Sequence, residues 1–239
     1  MISIDVITAY CGESQINECI RMVKLQKNVI INHIIVRDKN FLESQIETFN
    51  HAYSSKSKYV CKLDADMVLP NELYLNNVVK HFTDDINIIT IKVDDFYSDT
   101  KIWGFHIFRS GSFKYSLIDK IKLPQPDAWL QNIKNKKLFS EFDSYILHGY
   151  NPTNEQSFHY GYSRGMKLLK QKDGLINIIN FLKILSTNKK PIIDGYLKAF
   201  GCKNIEDINS IFKLLVFIKV PFYKIYFLYL KVLIYKWFI

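Results

Sequence analysis

A chain of 239 residues with 48% apolar side chains is long and apolar enough to bury a sizeable core, which excludes a disordered polymer. A formal charge of +9 points to anionic partners such as nucleotides, phospholipid or nucleic acid, and carries no information about the fold. Four scattered cysteines (Cys11, Cys19, Cys61 and Cys202), with no C-x-x-C pair, indicate neither a zinc site nor a disulfide framework and fit a reducing cytosolic setting.

The N-terminus, Met1-Ile2-Ser3-Ile4-Asp5-Val6-Ile7, lacks the basic region, apolar segment and cleavage site of a secretion signal. It reads as a strand over about Ile2 to Tyr10. Gly12 and a polar break precede a predicted helix from about Glu13 to Lys27. The next strand, Ile30 to Arg37, is a dense apolar run of the kind buried by helices on both faces. A helix over about Leu42 to Tyr53 leads into a third strand. Strand, helix, strand, helix, strand predicts parallel pairing with right-handed crossovers.

The third strand is the informative one. Lys58-Tyr59-Val60-Cys61-Lys62-Leu63 runs into Asp64-Ala65-Asp66, and Pro70 then opens a helix predicted from about Asn71 to Phe82. The two carboxylates therefore sit at the C-terminal end of a strand. That is the edge at which open α/β sheets bind ligands, and an Asp-x-Asp pair there offers hard oxygen ligands to a divalent cation.

Ile86 to Val93 and Trp103 to Arg109 read as further strands that extend the sheet antiparallel. From Ser110 to Phe142 the pattern is weak, although Pro124-Gln125-Pro126-Asp127 marks a turn and a short helix is predicted from Ala128 to Ile133. After Tyr145 to Gly149, Thr153 with Gln156 three residues on forms a capping-box start for a helix reaching about Gln171. Within it, Gly161 and Gly165 weaken the helix and hint at close backbone approach. Arg164 and Lys167 share a face that suits a diphosphate.

From Ile205 the character changes. Between Ile211 and Ile239 there are five lysines, no acids and otherwise almost only aliphatic and aromatic residues. At 100° per residue Lys213, Lys224 and Lys231 fall within about 20° of one another, a basic stripe on an apolar cylinder. No uncharged run approaches the roughly 20 residues that span a bilayer. The segment is predicted to lie on an anionic membrane surface, or else to pack on its own domain or a partner. With the lysines clustered among apolar residues and no recognised binding motif, nucleic acid is not an expected partner.

The N-terminal half resembles nucleotide-sugar-dependent glycosyltransferases of the GT-A fold, family 2 in particular. The likeness rests on a first strand ending Ile7-Thr8-Ala9-Tyr10, a second ending Val36-Arg37-Asp38, and Leu63-Asp64-Ala65-Asp66. It implies a mixed, mainly parallel sheet flanked by helices over residues 1–204, with a nucleotide-binding half (1–83) and an acceptor and metal half (84–170). The basic amphipathic segment 205–239 would follow as an appendage.

By the same resemblance Asp66 would ligate Mn²⁺ or Mg²⁺ directly, with Asp64 on the ribose or a metal-bound water and His148 completing the shell. Thr8, Tyr10 and Asp38 would hold the nucleotide of a nucleoside-diphosphate sugar, a UDP-sugar foremost, and Arg164 and Lys167 its diphosphate. Asp127 would act as the base of an inverting displacement, with Asp94, Asp95 and Glu141 as competitors. Trp103 and Trp129 would stack on an acceptor that is a glycan or lipid-linked. The setting implied is cytoplasmic, at the inner face of the cell membrane. Two other readings stay open: a haloacid-dehalogenase-like phosphatase using Asp64 and Asp66, and a non-catalytic membrane-surface module.

Overall fold

The computed structural model describes residues 1–37, 39–112, 133–170, 189–199 and 201. They form two compact units, one over Met1–Thr153 and one beginning at Asn154. Asp38, Asp127, Trp129, Cys202 and the segment 205–239 lie outside the described residues, as does the helix predicted from Ala128 to Ile133 except for Ile133 itself.

The first unit is a mixed α/β layer structure. Its elements are β1 (Ile2–Ala9), α1 (Ile16–Lys24), β2 (Val29–Val36), α2 (Phe41–Ser54), β3 (Tyr59–Lys62), β4 (Met67–Val68), α3 (Tyr74–Val79), β5 (Ile88–Asp95), β6 (Thr100–Arg109), β7 (Lys136–Phe139) and β8 (Leu147–His148). The sheet order is β2-β1-β3-β6-β5-β8-β4, with β7 also pairing to β5. The pairs β1·β2, β1·β3, β5·β7 and β5·β8 are parallel, whereas β3·β6, β5·β6 and β4·β8 are antiparallel. The parallel β-α-β-α-β opening and the antiparallel β5–β6 extension are thus as the sequence predicts.

Alternation along the strands feeds two cores. Ile4 and Val6 of β1 point with Cys61, Ile89, Ile91, Val93, Phe105 and Ile107 into the larger one, which α1 and α3 cover through Cys19, Val23, Leu75 and Val78. Ile7, Val60, Ile88 and Phe108 point to the other face and meet Phe49 and Ala52 of α2. A capping box anchors α2: the Asn40 side chain accepts from the Glu43 amide at 3.0 Å, while the Glu43 carboxylate reaches back to the Asn40 amide.

Three local expectations need correction. β2 is an edge strand paired with β1, and its burial is partial, with Ile30 53% exposed; its apolar density does not mean cover on both faces. α1 starts at Ile16 rather than Glu13, because the Glu13 carboxylate folds back to accept from the Cys11 amide at 2.7 Å and closes a turn. α3 starts at Tyr74 rather than Asn71, because Asn71 Oδ1 accepts from the Leu73 amide at 3.0 Å, an Asx turn that holds 71–73 out of the helix.

The second unit packs α4 (Asn154–Lys170) against α5 (Lys190–Ala199). α4 begins beside Thr153 as predicted; α5 was not anticipated. The two backbones approach through glycine. A Cβ on Gly161 would lie 1.9 Å from the Ile192 carbonyl oxygen, one on Gly195 2.1 Å from the Phe158 carbonyl oxygen, and one on Gly165 2.6 Å from Ala199 Cβ. The weakness that Gly161 and Gly165 bring to a helix is the condition for this contact.

Candidate functional site

The site is built where the chain leaves β3. After Lys62 the backbone passes through Asp64-Ala65-Asp66 and then joins the far edge of the sheet, where β4 pairs with β8. Two bonds hold the crossing: the Leu63 amide to the Ile7 carbonyl at 3.1 Å and the Met67 amide to the Asp64 carbonyl at 2.9 Å. Apolar Leu63, Ala65 and Met67 are buried, so the alternation turns Asp64 and Asp66 away from the core.

Strand register delivers the other members. Met67 sits opposite His148 on β8, and His148 sits opposite Asp95, the last residue of β5. His148 Nε2 consequently faces Asp66 Oδ1 at 3.5 Å, and His148 Nδ1 lies 2.6 Å from Asp95 Oδ1. Asp95 is fully buried and its other oxygen accepts from the Ser98 amide at 3.1 Å and from the Ser98 hydroxyl. Tyr97 donates its hydroxyl to Asp66 Oδ2 at 3.4 Å and sets its ring edge-on to His148.

Gly149 makes that placement of Tyr97 achievable. It adopts φ +66°, its amide donates to the Asp66 carbonyl at 2.9 Å, and a Cβ there would lie 2.1 Å from the Tyr97 ring.

Asp64 is the more exposed acid and is bound by Lys62 Nζ at 2.6 Å, the lysine itself being buried. Burial pushes the Asp66 carboxyl above the usual range, His148 pulls it back, and Asp64 and Asp95 push it further up. Burial alone would lower His148, but Asp66 and Asp95 outweigh it and raise the imidazole to about 9. The Glu13 carboxyl is raised by burial, with Asp66 and Asp64 adding to the effect. The site is thus rich in negative charge, and without a bound cation the protonated His148 supplies the balance.

A group whose folded pKa exceeds its unfolded value stabilises the fold fully below the unfolded value, here 6.5, and loses that contribution as pH rises through the folded value of about 9. Chemical denaturation in chelator should show the free protein losing up to about 3 kcal/mol between these pH values. His148→Gln should flatten that limb. An equal slope in the variant would show that His148 does not carry it.

Could these residues hold a metal? Among the described residues no cluster of three or more His, Cys, Asp or Glu is arranged to hold an ion alone. What converges is a two-member set, the Asp66 carboxylate and the His148 imidazole, with Asp95 behind the imidazole. A carboxylate on Nδ1 fixes the tautomer that turns the Nε2 lone pair outward, the arrangement that orients metal-binding histidines. Hard oxygen plus imidazole suits Mn²⁺ or Mg²⁺ whose remaining positions are taken by substrate phosphates and water, so the residues fit such an ion.

Other sequence candidates are placed differently. Thr8 is fully buried, and its hydroxyl pairs with His33 Nε2 at 3.0 Å, so it is a core contact rather than a surface offered to a nucleotide. Burial, with Lys24 adding to it, lowers His33 to about 4 and keeps it neutral. Tyr10 follows β1, and the Arg37 guanidinium lies over its ring at 5.1 Å. Asp95, a competitor for the base, is committed to His148 and Ser98 and presents no side-chain surface. Trp103 is exposed under Lys92 Nζ at 5.1 Å. Arg164, on α4 of the second unit, lies over the Tyr160 ring at 5.1 Å; Lys167 belongs to the same helix. Sequence reasoning missed Lys62, Tyr97, Glu13 and the role of Asp95. Only the adjacent Asp94-Asp95 at a strand end carried any signal.

No protein-family model matches the chain, and no curated protein matches it. Similar solved structures include a glycosyltransferase involved in the glycosylation of the major capsid of PBCV-1, at 8% identity over 64% of this chain and 95% of that one, with a TM-score of 0.45. Another is S. aureus TarS, at 12% identity over 83% of this chain and 43% of that one, with a TM-score of 0.43. A form of S. aureus TarS comprising residues 1–349, in complex with UDP, matches at 12% identity over 83% of this chain and 72% of that one, with a TM-score of 0.41.

Proposed function

We propose that the protein is a metal-dependent glycosyltransferase that moves a sugar from a nucleoside-diphosphate sugar, a UDP-sugar foremost, to a hydroxyl of a membrane-proximal glycan or lipid-linked acceptor, with inversion. The observation that carries the reading is the Asp66–His148–Asp95 line at the mouth of the sheet: two metal-competent side chains 3.5 Å apart, with the imidazole locked from behind.

When bound, Mn²⁺ or Mg²⁺ supplies charge neutralisation for a departing diphosphate. The chain's own residues do the rest. Asp66 and His148 would hold the ion, Tyr97 fixes the Asp66 carboxylate and Asp95 the His148 imidazole, and Lys62 fixes Asp64 so that its second oxygen can accept from a ribose hydroxyl or a water. Arg164 and Lys167 are the proposed diphosphate cations. Asp127, whose place after two prolines in the sequence motivates the assignment, is the proposed base that takes the acceptor proton. Among the described residues no helix is long and apolar enough to cross a membrane. The lysine-striped 205–239 segment is the proposed contact with an anionic inner leaflet.

The test is thermal unfolding with UDP and a panel of nucleoside-diphosphate sugars, each with and without Mn²⁺. At a hundred times its dissociation constant a ligand selective for the folded state adds about 2.7 kcal/mol. The melting temperature should rise only when nucleotide and metal are both present. An equal rise with chelator, or none with any donor, overturns the proposal.

A further inference from the structure

Beside His148 a cavity of about 390 Å³ opens, and its wall is formed by the end of β5, the turn into β6, and the residues around β8. We infer that this cavity seats a single neutral hexopyranose, the acceptor sugar under the transferase reading.

Its size falls at the low end of the roughly 300–1,000 Å³ of small-molecule pockets, which suits one ring rather than an extended chain. Two aromatic rings line it, Phe96 at 39% and Tyr150 at 58% exposure, nearly perpendicular at 79° with centroids 6.3 Å apart. Both are anchored through the backbone: the Phe96 amide donates to the His148 carbonyl at 3.0 Å, and Gln15 Nε2 donates to the Tyr150 carbonyl at 2.6 Å. An anchored aromatic corner offers one flat apolar face and one edge, the complement of a pyranose with a C–H face and a rim of hydroxyls.

The polar lining decides which pyranose. Asp94 and Asp99 supply carboxylate oxygens, acceptors for sugar hydroxyls. Lys101, also on the wall, rests its ammonium over the Tyr145 ring at 3.5 Å. The lining carries the carboxylates of Asp94, Asp95 and Asp99 against the cations of Lys101, held over Tyr145, and His148, paired with Asp95. This net negative charge favours a neutral sugar over a uronate or a phosphosugar. The position beside His148 puts a hydroxyl of that sugar next to the proposed cation site.

The experiment is saturation-transfer NMR on the full chain, with methyl β-glucopyranoside and methyl β-glucuronopyranoside as probes. The glucoside should bind and the glucuronoside should not. Phe96→Ala/Tyr150→Ala should weaken glucoside binding about tenfold or more, the loss expected for two ring contacts. Asp94→Asn/Asp99→Asn should bring glucuronoside binding up towards that of the glucoside. Stabilisation by UDP with Mn²⁺ should persist in both double variants. Absent glucoside binding, equal binding of the two probes to the unmodified chain, or unchanged binding in the aromatic variant would overturn the inference. Loss of the UDP response in the unmodified chain would instead remove the transferase reading and leave the sugar site to be judged by the NMR result alone.

Discussion

Asp66→Asn should lower sugar transfer about a thousandfold, which corresponds to about 4 kcal/mol of lost transition-state stabilisation. The substitution keeps the shape of the side chain but removes the charge that an ion would meet, and it takes from His148 the acid whose charge raises the imidazole most, although Asp95 lies closer. Loss of a proposed ligand and of the partner of the second proposed ligand would act on the same ion, so the effect should exceed that of Asp64→Asn, whose carboxylate is already neutralised by Lys62 at 2.6 Å. The readout is initial rate at saturating Mn²⁺ with the best donor from the thermal screen. Because the charge of Asp66 is the foremost group raising His148, the variant should also lose stability in chelator at neutral pH, a part of the contribution that the protonated imidazole makes. Activity within tenfold of the unmodified protein would place the proposed ion away from Asp66.

Gly195→Ala should be among the most destabilising single substitutions in the second unit. Helix propensity favours alanine by about 1 kcal/mol. The added methyl would, however, meet the Phe158 carbonyl oxygen at 2.1 Å and the Tyr162 amide nitrogen at 2.7 Å, backbone atoms that no rotamer change can move. Separating α4 from α5 would uncover Ile192, Tyr196 and Leu197. Overpacking of this kind costs about 3 kcal/mol or more, so the steric effect wins. Gly111→Ala is the control: nothing lies within 4 Å of its added Cβ, and denaturant midpoints should not change. Equal midpoints for the two variants would contradict the close packing of the helices.

The layering of the first unit was readable because each element carries its own period and its own stop. The acidic pair was readable because it follows a run of strand-forming residues and precedes a proline. Features that depend on pairing were not. β7 is Lys136-Lys137-Leu138-Phe139, half exposed along a parallel edge, and lacks the apolar run that marks a buried strand. Nothing near Asp95 announces that it will orient His148, 53 residues later, since that contact exists only through the register of β5 with β8. The apolar density of β2 misled for a related reason: strand composition reports β-propensity as well as burial, and position in the sheet decides between them.

The short β4·β8 pairing has a consequence for biosynthesis. The carboxylates leave the ribosome long before the imidazole that faces them, and the two join only when β8 pairs with β4 and β5 through two residues each. Long-range closure of this sort is slow relative to local pairing. The acidic loop after β3 therefore emerges without its imidazole, and Asp66 and His148 can meet only once the chain has grown past β8.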